Sequence, residues 1–410
     1  MGAYSNQSPT QAVRPSSFQS FAARRIKQAL DGLTACRLHI QLPGGYRFAV
    51  GPTGADRSAD WTIHKWNALL RVTASGVLGF SEGYINAEWE TSDLPNLLTA
   101  LAGEPYIVGA ASGRSGPSRL LGRIQHWMNA NSRRGSRRNI SFHYDLGNAF
   151  YQHWLDESMT YSSALFASDE ECLVDAQARK YRRICDSLNL KPGDRVLEIG
   201  CGWGGFAEIA IREYGCHVTG LTLSEEQLEF ARTRLDRAGL GGQCDLRLQD
   251  YRDISESFDA IASIEMFEAV GEAHWPTYFR QIQHCLKPGG CAALQVITIR
   301  EDDFPNYRAS ADFIQKYVFP GGMLPPARLL NVLAHEAGLT ARGSIMFAES
   351  YARTLAAWQQ AYRAKTPEIE ELGFDARFDR IWRYYLAYCE AGFRSGRIDV
   401  GQFIYINPPQ

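Results

Sequence analysis

Between Asp194 and Gln227 the spacing of hydrophobic positions changes period along the chain. Val196, Leu197 and Ile199 form a short apolar run of the kind a buried strand shows, and Gly200, Gly202 and Gly204 follow at once. Phe206 to Tyr214 then has helical spacing, and a second apolar run over 217–221 leads into Thr222, Ser224 and Gln227. Glycines directly after a strand let the backbone turn sharply and let a ligand touch main chain. The pattern continues downstream. Helices are predicted over 173–188, 205–214 and 224–238, in a stretch between 248 and 260, and through 279–286. Strands are predicted over 196–199, 217–221, 244–248, 260–264 and 292–297. Alternation of this kind builds a doubly wound, mostly parallel α/β sheet, with ligands above the carboxyl ends of its strands.

Upstream, residues 33–51 alternate apolar and polar positions around a Pro-Gly-Gly turn, a hairpin signature. Helix-like stretches around 63–73 and 94–101 flank the Gly- and aromatic-rich LGFSEGYINAEWE. The expected organisation is a disordered or helical segment 1–32, a small α+β domain 33–110, a linker 111–140 and a larger domain 141–410. After Arg300 the chain turns to aromatic helices and loops, expected to cap a pocket over 300–410.

The glycine turn points to a particular cofactor. Glu198 lies just before it, where a carboxylate suits a cationic sulfonium better than a pyrophosphate. A dinucleotide site would place Asp or Glu at the end of the second strand to grip ribose hydroxyls. Here Thr222 and Gln227 stand in that place, so we expect S-adenosylmethionine, held by Glu198, Gly200, Gly202, Gly204, Thr222 and Gln227. Asp250 and Tyr251 follow another strand, where a carboxylate can accept the adenine amine and a ring can stack on the base.

Composition narrows the remaining classes. The chain has 410 residues, 45% hydrophobic and 21% charged, with no run of about twenty apolar residues and no apolar signal core. A cytoplasmic location is expected. The nine cysteines show no CxxC pair and the histidines no metal spacing, so neither disulfide framework nor metal site is expected. A net charge of −2 gives no reason to expect nucleic acid as a partner. From Arg114 to Arg138, however, seven arginines and no acidic residue interleave with Leu120, Leu121, Ile124, Trp127 and Met128 at helical spacing. Such a segment either lies on an anionic membrane or packs on its own protein with its arginines solvated.

Several separated blocks resemble one family. HYDLGNAFYQHWLDESMTYSSALF, VLEIGCGWGGFAE, VTGLTLSEEQ, LQDYRD, SIEMFEAVGE, YVFPGGMLP and YYLAYCEAGFRSGRID together resemble the cyclopropane-fatty-acyl-phospholipid synthases over about residues 141–405. The first domain resembles the sterol-carrier-like N-terminal unit of such synthases. The resemblance implies methyl transfer from S-adenosylmethionine to a cis double bond of a membrane phospholipid acyl chain. It also implies peripheral contact with the inner face of the membrane and leaves homodimerisation open. The carbocation would lose a proton to bound bicarbonate, and a ring would close.

Carried over by position, Glu268 matches the family glutamate that orients bicarbonate, and Tyr385 matches the tyrosine. The family cysteine falls on Ser163 and the histidine on Gln295, with Ile297 at the nearby strand end. Tyr161 and Ser162 join the cofactor contacts on the resemblance, and His143 is a minor candidate. Phe142, Tyr144, Phe267, Tyr317, Phe319 and Tyr385 are expected to wall the cation. Because Ser163 and Gln295 depart from the family, weaker or altered bicarbonate binding is expected. The product is a cyclopropane or, with a different proton lost, a methyl-branched or methylene fatty acid. A small-amine N-methyltransferase and an inactive lipid-binding protein are the remaining readings.

Overall fold

The computed structural model describes residues 14–103 and 146–409, which fall into two compact units divided near Arg114. The arginine-rich segment, His143, Phe142 and Tyr144 lie outside the described residues.

The first unit opens with helix α1 (Ser17–Ala29), capped by Ser16 and Gln19, which exchange hydrogen bonds with each other's backbone. The expected hairpin forms as β1 (Cys36–Gln41) and β2 (Arg47–Val50). A strand that we did not expect, β3 (Arg57–Ile63), pairs parallel to β1, and the two-residue β4 (Trp89–Glu90) closes a four-stranded sheet ordered β2-β1-β3-β4. The helix expected over 63–73 is displaced: Ile63 ends β3, and α2 runs Asn67–Ile85 with a break at Gly76. Most of LGFSEGYINAEWE therefore belongs to that helix. Tertiary contact overrides its glycines. Gly83 packs so close to the buried Trp89 ring that a Cβ there would lie 2.8 Å from it. Helix α3 (Leu94–Ala102) follows, capped by Asp93.

The second unit holds a seven-stranded sheet, β10-β11-β9-β8-β5-β6-β7. Its strands are β5 (Arg195–Ile199), β6 (His217–Thr222), β7 (Cys244–Leu248), β8 (Phe258–Ile264), β9 (Leu286–Ile299), β10 (Thr340–Met346) and β11 (Ile398–Ile406). β7, β6, β5, β8 and β9 run parallel, whereas β11 and β10 are antiparallel additions. Side chains alternate across the sheet and build two cores. Val196, Val218 and Ala260 pack with α5 (Leu173–Ser187), α6 (Gly205–Tyr214) and α7 (Glu225–Arg237); α4 (Asn148–Gln152) precedes these. Leu197, Ile199 and Ile261 pack on the opposite face with α8 (Trp275–Cys285) and, beyond the short α9 (Phe304–Ala309) and α10 (Phe313–Tyr317), with α11 (Ala327–Glu336).

Two expectations are corrected here. Between 248 and 260 there is only a single tight turn, Tyr251–Asp253, which Asp250 caps by accepting from Arg252 N. The region after Arg300 is more than a cap: besides α12 (Ala348–Ala364), α13 (Thr366–Glu371) and α14 (Ala376–Arg394), it contributes β10 and β11 to the sheet. The run IDVGQFIYI is buried along most of its length because β9 and β10 flank it.

The packing around β6 leaves little room. A Cβ on Gly220 in β6 would stand 2.6 Å from Leu246 Cδ2 and 3.0 Å from the Cys201 Cβ. Gly220→Val should therefore destabilise the second unit by about 1–3 kcal/mol, the usual cost of overpacking, read as a lowered Tm in thermal denaturation.

Candidate active site

The parallel strands β5 to β9 deliver their carboxyl ends to one edge of the sheet, and the expected residues gather there. At the end of β5, Gly200, Gly202 and Gly204 have φ of +86°, +50° and +83°. The turn is tied to β6 by Gly200 N and Cys201 N, which both donate to the Leu221 carbonyl at 3.0 and 2.8 Å. A Cβ on Gly200 would touch Met266 and one on Gly204 would touch Ala231, but one on Gly202 would project into open space. Gly202 therefore borders a cradle.

Beside the turn, Glu198 is buried, and its Oε2 has no hydrogen-bond partner among the described residues. Burial pushes its carboxyl well above the usual range, opposed by the charges of Lys180 and Arg234. On β6 the Thr222 hydroxyl donates to Gln227 Oε1 at 2.9 Å, and Ser224 caps α7, so the pair is held before any ligand arrives. Asp250, expected at the adenine amine, forms an ion pair with Arg252 at 2.6 Å that fixes the direction of its carboxylate. The neighbouring Tyr251 ring packs edge-on against Tyr278 at 5.1 Å. The open cradle at Gly202 and the orphaned carboxylate oxygen of Glu198 fit a ligand that is bulky and cationic, as S-adenosylmethionine is.

The segment from Ser158 to Leu165 crosses this edge, anchored residue by residue. Arg234 donates to the Ser158 carbonyl at 2.6 Å, and Gln177 to the Ser162 carbonyl at 2.9 Å. Ala164 N donates to Thr354 Oγ1 at 3.1 Å. Lys180, fully buried on α5, donates from Nζ to Ser162 Oγ at 2.6 Å. Burial pulls its ammonium down to about 7, resisted by Glu265, Asp156 and Glu198. Sequence reasoning missed Lys180; its signal was a lysine in register with Ala176 and Ile184 on the buried stripe of the helix.

At the ends of β8 and β9 an acid cluster forms. Glu268 Oε1 accepts from Ile297 N, while its Oε2 is buried with no hydrogen-bond partner among the described residues. Burial and the nearby Glu265 charge push its carboxyl up to about 8. Ser163 does not present its hydroxyl to an anion, because that group donates to the Ala164 carbonyl at 2.8 Å. Instead, Ser163 N donates to Glu265 Oε1 at 2.8 Å, and Gln295 Nε2 donates to the same oxygen at 2.7 Å. Gln402 Nε2 on β11 donates to Gln295 Oε1 at 3.1 Å. The tyrosine that reaches this cluster is Tyr351 on α12, donating to Glu265 Oε2 at 2.6 Å. The Tyr385 hydroxyl lies 2.6 Å from that of Tyr161.

The aromatic wall also differs from the expected one. Phe267 is core, packed on Trp275, Tyr278 and Phe279, and Tyr317 packs on Phe313. Phe319 faces Tyr385 at 6.2 Å. Tyr161 instead joins Tyr151, Trp154 and Trp358, with centroids 5.3–5.5 Å away, and Tyr151 continues to Trp203 inside the glycine turn at 5.0 Å. This aromatic group thus runs from the cofactor cradle to the tyrosine pair.

The raised carboxyl of Glu268 has a measurable sign. Its folded value near 8 exceeds its ordinary 4.5, so the folded state holds the proton more tightly across that window. The stability that the neutral form contributes is complete below 4.5 and is lost as pH rises toward 8. Melting temperature against pH should therefore fall more steeply for the native chain than for Glu268→Gln across this interval; parallel curves would show that Glu268 does not titrate there.

The mycolic acid cyclopropane synthetase family model matches residues 131–403. The chain is 36% identical to the tuberculostearic acid methyltransferase UfaA1 of Mycobacterium tuberculosis over 99% of this chain and 97% of that protein. It is 34% identical to the cyclopropane-fatty-acyl-phospholipid synthase of Escherichia coli strain K12, over 85% of this chain and 87% of that one. The crystal structure of the mycolic acid cyclopropane synthase CmaA1 with SAH and CTAB superposes with a TM-score of 0.62 at 30% identity, covering 66% of this chain and 97% of that one. The cradle, the acid cluster and these matches lead to one assignment: the chain belongs to the mycolic acid cyclopropane synthetase family and is an S-adenosylmethionine-dependent methyltransferase of the cyclopropane synthase type.

Proposed function

We propose that this enzyme methylates a cis double bond of a phospholipid acyl chain and that an anion in the acid cluster then removes a proton from the resulting carbocation. The observation that carries this reading is the placement of the acid cluster, with Glu265 and Glu268 at the ends of β8 and β9 and the aromatic group beside the cofactor cradle. When bound, S-adenosylmethionine supplies an electrophilic methyl group on its sulfonium. Gly200, Gly202, Glu198, Thr222 and Gln227 would hold it. An alkene is a weak nucleophile, so alignment and exclusion of water dominate the chemistry, and ring faces such as Tyr161 and Trp358 can stabilise a cation.

The resemblance makes the anion a bicarbonate held among Ser163, Gln295, Glu268 and Ile297, with ring closure as the outcome. A second reading, in which a neighbouring proton is lost to give a methyl-branched or methylene chain, is favoured by the replacements at Ser163 and Gln295. A relative named for tuberculostearic acid, covering nearly the whole chain, supports the same reading. A phospholipid acyl substrate implies peripheral contact with a membrane, which this reading puts at its cytoplasmic face. In support, Phe18 and Phe21 on α1 are each 57% exposed and are followed one turn on by the exposed Arg24 and Arg25.

Mass spectrometry of fatty acids from cells expressing the chain and fed methyl-labelled methionine tests the proposal. A labelled ring species supports the first reading, and a labelled species that keeps its double bond supports the second. Absence of labelled lipid would overturn both.

A further inference from the structure

We propose that Glu265 is the proton acceptor of this site, a carboxylate built into the chain where an exchangeable bicarbonate would otherwise be held. The proposal rests on the acyl-methylation reading and names the base for it.

Glu265 stands directly after β8 with φ of +51°, a conformation that glycine fills freely and other residues rarely adopt. Something must hold it there. Its backbone N donates to the Gln295 carbonyl at 2.8 Å. Its carboxylate collects three donors from three separate parts of the chain: Ser163 N at 2.8 Å, Gln295 Nε2 at 2.7 Å and Tyr351 Oη at 2.6 Å. Two of these positions, Ser163 and Gln295, are those that the sequence assigns to bicarbonate. A carboxylate and a bicarbonate present the same planar O–C–O edge, so donors that hold one can hold the other. The Ser163 N–H and the Tyr351 O–H are already spent on Glu265, and the Ser163 hydroxyl is turned to its own backbone.

The surroundings divide the roles of the two acids. Burial raises the Glu265 carboxyl above its ordinary range, and the Tyr351 hydroxyl, the field of Lys180, the Gln295 amide and Ser163 N oppose that rise by favouring the ionised form. Glu268 receives one backbone N–H, lies in the field of Glu265, and keeps its proton to about 8. With three donors on Glu265 and one on Glu268, the ionised form falls to Glu265 and the proton to Glu268, giving one base and one neutral donor. In the step proposed, a C–H bond of the carbocation breaks and its proton goes to a Glu265 oxygen. The electron pair of that bond becomes either the closing bond of a ring or a new double bond. Glu265 is left as the neutral acid and yields its proton to water after product release.

The test uses the full chain with vesicles of cis-unsaturated phospholipid and methyl-labelled S-adenosylmethionine, in buffer freed of carbon dioxide and in buffer with added bicarbonate. The native enzyme should turn over equally in both. Glu265→Gln should lower kcat ~100-fold or more, the scale of a lost general base, with calorimetric affinity for S-adenosylmethionine unchanged. Glu265→Gly suits the backbone and empties the anion cradle, so it should turn over only when bicarbonate is added, a rescue that a merely structural glutamate would not show. Labelled lipid that requires bicarbonate in the native enzyme, or a Glu265→Gln variant with full activity, would overturn this proposal alone. No labelled lipid from the native enzyme in either buffer would overturn the acyl-methylation reading, and this proposal with it.

Discussion

Glu268→Ala should lower kcat by ~100- to 1,000-fold while cofactor affinity stays within about twofold, because the lost group acts on the proton-transfer step and not in the cofactor cradle. Glu268 lies at the ends of β8 and β9, with Ile297 N on one oxygen and the other oxygen buried without a hydrogen-bond partner among the described residues. Burial and the Glu265 charge push the carboxyl up to about 8, which favours its neutral form. A neutral acid can donate a hydrogen bond to an anion beside it, which an alanine cannot. Glutamine separates the two possible roles: its carbonyl can keep the Ile297 contact and its amide can donate in place of the acid. Glu268→Gln should therefore recover much of the rate lost in Glu268→Ala. Steady-state kinetics of the two variants, with calorimetric titration of the cofactor, checks this. An alanine variant with the native rate removes Glu268 from the mechanism, and a glutamine variant as slow as alanine shows that the carboxyl group itself is needed.

Gly202→Leu should weaken S-adenosylmethionine binding by ~100-fold or more, whereas the fold loses only about 1–2 kcal/mol for placing a side chain at positive φ. The asymmetry follows from the turn. At Gly202 the backbone has φ of +50°, and a Cβ would meet nothing within 4 Å, so the protein alone tolerates the substitution sterically. A ligand lying in that space would not. The same substitution at Gly220, where a Cβ would stand 2.6 Å from Leu246, should do the reverse and act first on stability. Calorimetric affinity beside thermal denaturation distinguishes these outcomes. A Gly202→Leu variant that binds the cofactor normally would move the cofactor away from this turn.

Much of the second unit was legible because its signals are local. Helix α6 and strand β7 fall on their expected residues, and β5, β6 and α7 fall within one or two, since each is short, periodic and bounded by glycine or a polar cap. The glycine turn was legible for the same reason. Elements whose identity depends on distant partners were not. β11 falls in sequence within the expected cap and becomes a strand because β9 offers it an edge. α2 contains glycines at 76, 79 and 83 that argue against a helix, yet Trp89 packs onto Gly83 where a larger residue would not fit.

The site divides along the same line. Residues at strand ends, Glu198, Thr222 and Glu268, are determined by the chain's own alternation of strands and helices, because every parallel strand brings its carboxyl end to one edge. The sequence by itself therefore determined the parallel strands of the sheet, the cofactor turn and the family resemblance. Only tertiary structure decided what each side chain does there. Asp250 turned to Arg252, Ser163 turned its hydroxyl to its own backbone, and Tyr351, 86 positions from Glu265, arrived to hold it. Hydrogen-bond partners are selected by reach and direction in three dimensions, and a buried carboxylate takes whichever donors the packing brings within about 3 Å.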